Sequence, residues 1–274
     1  MSSRRERDHL LGGSAGLVDA LTLHARVWEP EAERMLDRIG VAPGARCVDV
    51  ACGTMGILAA LSRRAGPGGR VVGVDSDARA LAVARTYVER EGLENVELSQ
   101  ADACHTSLPR GSFDLVHARF VLAPLGREEE LLRELVALAA PGGVIALQEP
   151  DAGSWACHPE PPAFPQLREA ILRALRRAGG DFNAGRRIFG LLRDAGLQNV
   201  QIRPAVLALQ SGHPYMRLPA LFAESLRSQI VDGGILRAAD LDRAVAGYEE
   251  FLREPGGYMI PFTMLQAWGR KARR

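Results

Sequence analysis

The sequence is short of net charge, long apolar runs and lysine, and the first two shortages each remove a class of function. Formal net charge is +1 over 274 residues, so no broad positive field exists to hold a phosphate backbone, and nucleic acid is not an expected partner. No segment approaches the roughly 20 consecutive apolar residues of a membrane helix. The start, Met1-Ser2-Ser3-Arg4-Arg5-Glu6-Arg7, is not followed by an apolar run of the signal-peptide kind. A cytoplasmic protein is the expectation. Lys271 is the sole lysine, which reads as the codon usage of a GC-rich, bacterial genome rather than as function. The four cysteines (Cys47, Cys52, Cys104, Cys157) fall in no metal-ligand spacing and no C-x-x-C pair. His105 and His117 are equally scattered, so no metal is expected. The basic ends, Arg4–Arg7 and Arg270–Arg274, read as solvated tails.

What is present is an alternation. Val48-Asp49-Val50, Val71-Val72-Gly73-Val74, Val96-Glu97-Leu98, Phe113–Val116 and Val144–Leu147 predict five strands. Between them Gly56–Arg64, Asp77–Glu91 and Glu128–Ala140 repeat apolar residues at helical spacing. Strand and helix in turn imply a parallel sheet covered on both faces, because right-handed crossovers permit little else. Pro43-Gly44, Gly66-Pro67-Gly68-Gly69 and Pro141-Gly142-Gly143 punctuate the strand starts. Beyond residue 150 the pattern changes to a proline-rich connection, helices near Gln166–Arg177 and Arg186–Ala195, and two last strands at Val200–Leu209 and Met259–Trp268. Helical character fills Leu218–Val231 and Ala239–Arg253, and a helix over Leu17–Arg38 precedes everything. The expected organisation is one domain over 1–274, with a core near 41–150 and helical lid segments near 15–40, 155–182 and 211–256.

The first strand leads through Val48-Asp49-Val50-Ala51-Cys52-Gly53-Thr54-Met55-Gly56 into a helix. A tight, small-residue turn at a strand's carboxyl end is where α/β sheets bind ligands, with the helix N-terminus offering N–H groups. The second strand ends in Val74-Asp75-Ser76-Asp77, and Asp75 lies 22 positions after Gly53. An acid so placed suits both hydroxyls of a ribose. With only Gly53 and Gly56, the loop lacks the G-x-G-x-x-G of nicotinamide enzymes.

In order and spacing, Val48–Gly56, Val71–Asp77, Gln100-Ala101-Asp102-Ala103 and Phe113–Arg119 resemble the glycine loop, ribose acid, adenine segment and fourth strand of class I S-adenosylmethionine methyltransferases. The likeness is to the branch of ubiquinone/menaquinone-type C-methyltransferases and bacterial natural-product enzymes, and it covers roughly residues 15–150. It implies a doubly wound, mostly parallel seven-stranded α/β sheet whose last strand is antiparallel, with S-adenosylmethionine as cofactor and S-adenosylhomocysteine as product. It further implies that Asp49 orients the loop and that Ala51 and Gly53 flank the amino-acid end of the cofactor. Asp75 would hold the ribose and Ser76 would lie under the adenine. Asp102 and the Ala103 N–H would meet the adenine edge, and Ala118 and Arg119 would lie near the methionine part. Asp102 and Ser76 also suit a plain turn and a helix cap. The family loop has glycine where Ala51 and Met55 stand, a mild change at Ala51 and a large one at Met55, which excludes easy positive φ there.

After the fourth strand, Phe120-Val121-Leu122-Ala123-Pro124-Leu125 lacks the Asn/Asp-Pro-Pro-aromatic motif of base-methylating enzymes, and the paired glutamates of protein arginine methyltransferases are missing. A small-molecule acceptor is expected, taken by direct in-line displacement, with at most a second copy of the chain in a homodimer. Trp155, Tyr215 and Met55 are the expected pocket residues, and Glu149, Asp151, His213, Met216 and Phe222 are further lining candidates. His158 is the first choice of base, on an irregular loop beyond a strand end. His24 and Trp28 read as helix-packing residues. The alternative is an enzyme of this fold that binds the cofactor but catalyses cyclisation, rearrangement or decarboxylation, for which Met55 leaves room.

Overall fold

In the computed structural model, which describes residues 15–273, the chain folds as a seven-stranded sheet wrapped by helices. The elements run α1 (Ala15–Ile39), β1 (Arg46–Val50), α2 (Leu58–Ala65), β2 (Arg70–Asp75), α3 (Ala78–Arg90), β3 (Val96–Gln100), β4 (Phe113–Arg119), α4 (Leu122–Leu125), α5 (Glu128–Leu138) and β5 (Ala139–Asp151). They continue as β6 (Ala156–His158), α6 (Phe164–Arg177), α7 (Ile188–Asp194), β7 (Gln198–Ala205), β8 (Leu209–Gln210), α8 (Leu218–Ser225), α9 (Arg227–Val231), α10 (Ala238–Phe251), β9 (Tyr258–Ile260) and β10 (Thr263–Arg270). Sheet order is β3-β2-β1-β4-β5-β10-β7, and β10 runs antiparallel to both its neighbours. The doubly wound fold expected from the sequence is therefore present. Order reverses between β1 and β4, so the carboxyl ends of those two strands open the crevice where such sheets take ligands.

Three of the expected strands differ from the sequence reading. The fifth strand starts at Ala139, and Pro141-Gly142-Gly143 lies inside it, because its register against β4 shifts between Phe113 and Leu115 and a bulge absorbs the extra residues. Each of the two last strands divides in two. Pro261, which has no N–H to offer a ladder, separates β9 from β10, and the freed piece β9 pairs with β6 on one side and β8 on the other in a small antiparallel sheet. The helix α1 buries Trp28, Ala32, Met35 and Leu36, one face at helical spacing.

One face of the main sheet carries a line of hydrogen-bonded polar side chains. Asp49 faces His117 in register, Gln148 faces Gln266, and Gln266 faces Arg203. Cross-strand neighbours in register share a face, so the chain of contacts is continuous. His117 Nδ1 meets Asp49 Oδ1 at 2.6 Å, and His117 Nε2 meets Gln148 Nε2 at 2.8 Å. Gln148 Oε1 accepts from Gln266 Nε2 at 2.7 Å, and Gln266 Oε1 accepts from Arg203 at 2.8 Å. Because an amide nitrogen only donates, His117 Nε2 must accept, and its proton sits on Nδ1, pointed at Asp49. His117, Gln148 and Gln266 are all fully buried. The line ends on α1, where Glu31 accepts from Gln266 through its carbonyl and from Arg203 through its carboxylate. It fixes Asp49 from behind the glycine loop and ties α1 to the same face.

Candidate cofactor and acceptor site

The loop after β1 is built around Asp49. Its Oδ2 accepts the Ile57 N–H at 2.9 Å while Oδ1 is held by His117. Gly56 passes so close that a Cβ there would overlap Asp49 Oδ2, and its φ is +49°. Gly53, φ +58°, has nothing within 4 Å of where its Cβ would lie, so space for a ligand opens beside it. The third positive φ belongs to Ala51, at +58°, whereas Met55 is not among the positive-φ residues and is buried. The expected weight of the two departures is thus reversed. Met55 occupies an ordinary backbone conformation, and the strain sits at Ala51, where a left-handed alanine costs roughly 1–2 kcal/mol. Ala51→Gly should relieve that strain, less roughly 0.4–1 kcal/mol for the added freedom of the unfolded chain. The expected result is a net gain of about 0.5 kcal/mol in denaturant unfolding with cofactor affinity unchanged. A loss of stability would mean that the packing of the Ala51 methyl outweighs the strain.

Asp75 lies at the end of β2, partly exposed at the same crevice. Its Oδ2 accepts the Gly53 N–H at 2.8 Å and its Oδ1 the Asp77 N–H at 2.9 Å. Each oxygen keeps a second lone pair. Burial raises the carboxyl above its usual range against the pull of those N–H groups. Ser76 is exposed, and its carbonyl accepts from Gln100; the cap of α3 is Asp77, which accepts from Arg79 N. Asp102 closes a turn by accepting the Cys104 N–H at 2.8 Å, and its other oxygen accepts from Arg127 at 3.0 Å. Burial alone would raise this carboxyl, but the Cys104 N–H and the Arg127 guanidinium outweigh it and hold it below the usual range. Ala103 lies beside it, half-buried. Asp49, Ala51, Gly53, Asp75, Asp102 and Ala103 lie at or just beyond the carboxyl ends of β1, β2 and β3.

Arg119 ends β4 on the same face as His117. Its Nη2 donates to the Gly56 carbonyl at 3.1 Å, while Nη1 is buried with no partner. A guanidinium nitrogen left dry against the glycine loop suits the carboxylate of an amino acid, and together with the open space at Gly53 it fits the methionine end of S-adenosylmethionine. Phe120, next in sequence, has φ +58°, a strained conformation for an aromatic residue of the kind that gathers at functional sites. Its ring meets Phe182 at 5.2 Å and Phe262 at 5.8 Å, and Phe182 meets Phe222 at 5.2 Å.

Over these rings lies α1. Thr22 donates to Thr54 of the glycine loop at 2.9 Å. His24 Nδ1 lies 2.7 Å from the Tyr215 hydroxyl, and Trp28 Nε1 donates to the same oxygen at 3.2 Å. The His24 ring stands 4.6 Å from Phe120. Burial, reinforced by the Arg119 charge, pushes His24 well below the usual imidazole range. Burial likewise pushes the Tyr215 phenol up. His24 was legible in the sequence only as a packing residue, since nothing local marks a pairing with a tyrosine 191 positions away.

The remaining sequence candidates divide. Trp155 is buried at the far end of the ring cluster, edge-on to Phe222 at 6.3 Å, with its Nε1 unpartnered. His158 is exposed on β6, its ring stacked on Tyr258 at 4.8 Å and not on the cluster. Glu149 is a cap for α4: its carboxylate accepts from Val121, Leu122 and Ala123 N–H at 2.8, 2.8 and 3.1 Å. Burial lifts it to about 7 in spite of those donors. Asp151 pairs with Arg186, and His213 accepts the Tyr215 N–H. Met216 and Phe222 are buried.

Residues 42–174 match a family profile described as a methyltransferase domain. The nocamycin O-methyltransferase of Saccharothrix syringae is 33% identical over 215 residues, 78% of this chain and 68% of that protein. The demethylmenaquinone methyltransferase of Bacillus cytotoxicus is 26% identical over 200 residues, 69% of this chain and 83% of that one. Among solved structures, a SAM-dependent methyltransferase from Aquifex aeolicus aligns with a TM-score of 0.53 at 20% identity, over 72% of this chain and 93% of that chain, a likeness of fold.

Proposed function

We propose, for a chain that belongs to the S-adenosylmethionine-dependent methyltransferases, that its acceptor is a flat, largely apolar small molecule of the secondary-metabolite or quinone-like kind. The observation that carries this reading is the cluster of Phe120, Phe182, Phe222 and Phe262 beyond the end of β4, covered by α1 and by Tyr215. Rings gathered beyond the end of β4 and roofed by a helix suit an apolar, planar small molecule better than a polymer.

When bound, S-adenosylmethionine supplies a methyl group on a positively charged sulfur. On this reading Asp75 accepts from the ribose hydroxyls and Arg119 Nη1 holds the carboxylate. Asp49, braced by His117, keeps the loop open at Gly53. Asp102 and Ala103 meet the adenine, and Ser76, being exposed, contributes only its backbone. Aligning acceptor and methyl and excluding water are the main requirements, and α1, fastened to the loop at Thr54 and to the later segment at Tyr215, answers both. His158, facing solvent, is replaced by His24 as the imidazole nearest the chemistry. The rival of cyclisation, rearrangement or decarboxylation drew on Met55, and with Met55 in an ordinary conformation nothing in the loop favours it.

The test is transfer of labelled methyl from S-adenosylmethionine into an organic-solvent extract of the producing cells. Label should enter solvent-extractable product. Label carried in protein or nucleic acid would overturn the reading.

A further inference from the structure

Glu149, near the end of β5, lies against the segment that follows β4. It is fully buried, and none of the ion pairs among the described residues includes it. Backbone N–H groups hold its carboxylate instead: Val121 and Leu122 on Oε1, each at 2.8 Å, and Ala123 on Oε2 at 3.1 Å. The Phe120 N–H goes to the Gln148 carbonyl at 2.8 Å. Every N–H from residue 120 to residue 123 is thus pinned to β5.

What they pin is a kink. Phe120 has φ +58°, a left-handed conformation that a residue with a Cβ adopts at a cost and keeps only where its surroundings over-determine it. Phe182, Phe222 and Phe262 are buried, whereas Phe120 is half-buried. Of the rings gathered there, it is the one with surface left to offer at the carboxyl end of β4.

A buried carboxylate without a cation is a costly way to hold a turn. Burial lifts the Glu149 carboxyl to about 7 in spite of its donors, and the Glu128 charge adds to the lift. The other charges on the surrounding elements are engaged. Glu128 on α5 pairs with Arg187, which also holds Asp181; Asp151 pairs with Arg186; Arg119 donates to the Gly56 carbonyl. Leu265, opposite Glu149 on β10, carries no charge. The unfolded chain has an ordinary glutamate, so the raised group favours the fold in acid, and that contribution is lost as pH rises through about 7. Ionised, Glu149 grips the N–H groups most firmly and stabilises the fold least. A group kept in that state against stability points to a functional constraint.

We propose that Glu149 is a positioning residue for the acceptor: as a carboxylate it holds residues 120–123 in place, fixes the Phe120 kink and so sets the ring on which the acceptor lies. This rests on the small-molecule reading above. Glu149 touches no reacting atom. Protonation removes the charge that strengthens its bonds to the N–H groups, and the kink relaxes.

The test compares the parent protein with Glu149→Gln, which keeps the shape and cannot ionise. From about pH 8 to about pH 6 the ionised fraction of a group titrating near 7 falls about tenfold. The parent-to-variant ratio of labelled methyl transferred into the cell extract should fall by that about tenfold, and taking the ratio cancels any ionisation of the acceptor. Denaturant unfolding should run the other way, the parent gaining about tenfold in folded-to-unfolded ratio over the variant as pH falls. S-adenosylhomocysteine affinity should differ by less than about threefold between the two proteins at either pH. A carbonyl band from a buried protonated carboxyl should appear in the infrared spectrum of the parent at about pH 6 and vanish by about pH 8. Its absence at the lower pH overturns the proposal even if the variant does not fold. A flat ratio in either comparison, with labelled, extractable product, overturns the proposal alone. So does a loss of cofactor affinity beyond about tenfold in the variant, which would put Glu149 on the cofactor side. Label carried in protein or nucleic acid overturns the small-molecule reading and the proposal with it.

Discussion

Gly56→Ala should cost more than any other single methyl added to this chain's glycine loop. The new Cβ would overlap Asp49 Oδ2, and the residue would still be held at φ +49°. The backbone term alone is roughly 1–2 kcal/mol. The overlap can be relieved only by turning Asp49 away, which breaks its bonds to Ile57 N and to His117. The partners left behind are buried, and each unmade bond there costs about 1–3 kcal/mol. Arg119, which donates to the Gly56 carbonyl, would shift with it. A total of roughly 3–5 kcal/mol should lower the melting temperature by roughly 10 °C for a chain of this size. Calorimetry with S-adenosylhomocysteine should find binding weakened beyond a hundredfold (about 2.8 kcal/mol). A folded variant with parental affinity would show that Asp49 does not govern the loop.

Asp75→Ala should weaken cofactor binding by roughly a hundredfold, since two charge-assisted bonds to ribose hydroxyls at about 1.5 kcal/mol each amount to two decades. The structure adds a second effect. The same carboxylate holds the Gly53 and Asp77 N–H groups, so the turn itself loosens and stability drops by about 1 kcal/mol or more. The pH dependence follows from the direction in which burial moves the group. Asp75 is raised, and the ionised form is the one that accepts from hydroxyls. Affinity is therefore complete above the raised value and is lost as pH falls through it, at a higher pH than an ordinary aspartate would give. Unchanged affinity in the folded variant, or a flat profile down to the ordinary aspartate range, would remove Asp75 from the site.

The grouping of the residues proposed for the cofactor was legible in the sequence because it is local. Asp49, Gly53 and Gly56 lie within one strand–turn–helix, and Asp75 and Asp102 follow the next two strands, so chain order and strand endings place them together. Even there the sequence misjudged strain. Ala51 and Met55 both stand where the family has glycine, but which of them has positive φ is set by the path the loop takes around Asp49, and residue type does not reveal it.

The order of strands and helices, and with it the doubly wound sheet, was determined by the sequence alone, because alternating and helical apolar spacing are properties of neighbouring residues. Only the tertiary structure decided which distant polar side chains meet. His24 and Tyr215 are 191 positions apart, His117 and Asp49 are 68 apart, and Gln148 and Gln266 are 118 apart. Each pair forms because strand register and the packing of α1 bring the partners within a hydrogen bond, and no spacing in the chain encodes that. In the sequence these are two histidines among six, a tyrosine, an aspartate and two ordinary glutamines. Burial turns them into groups that must find partners, since an unmet polar atom away from water is costly.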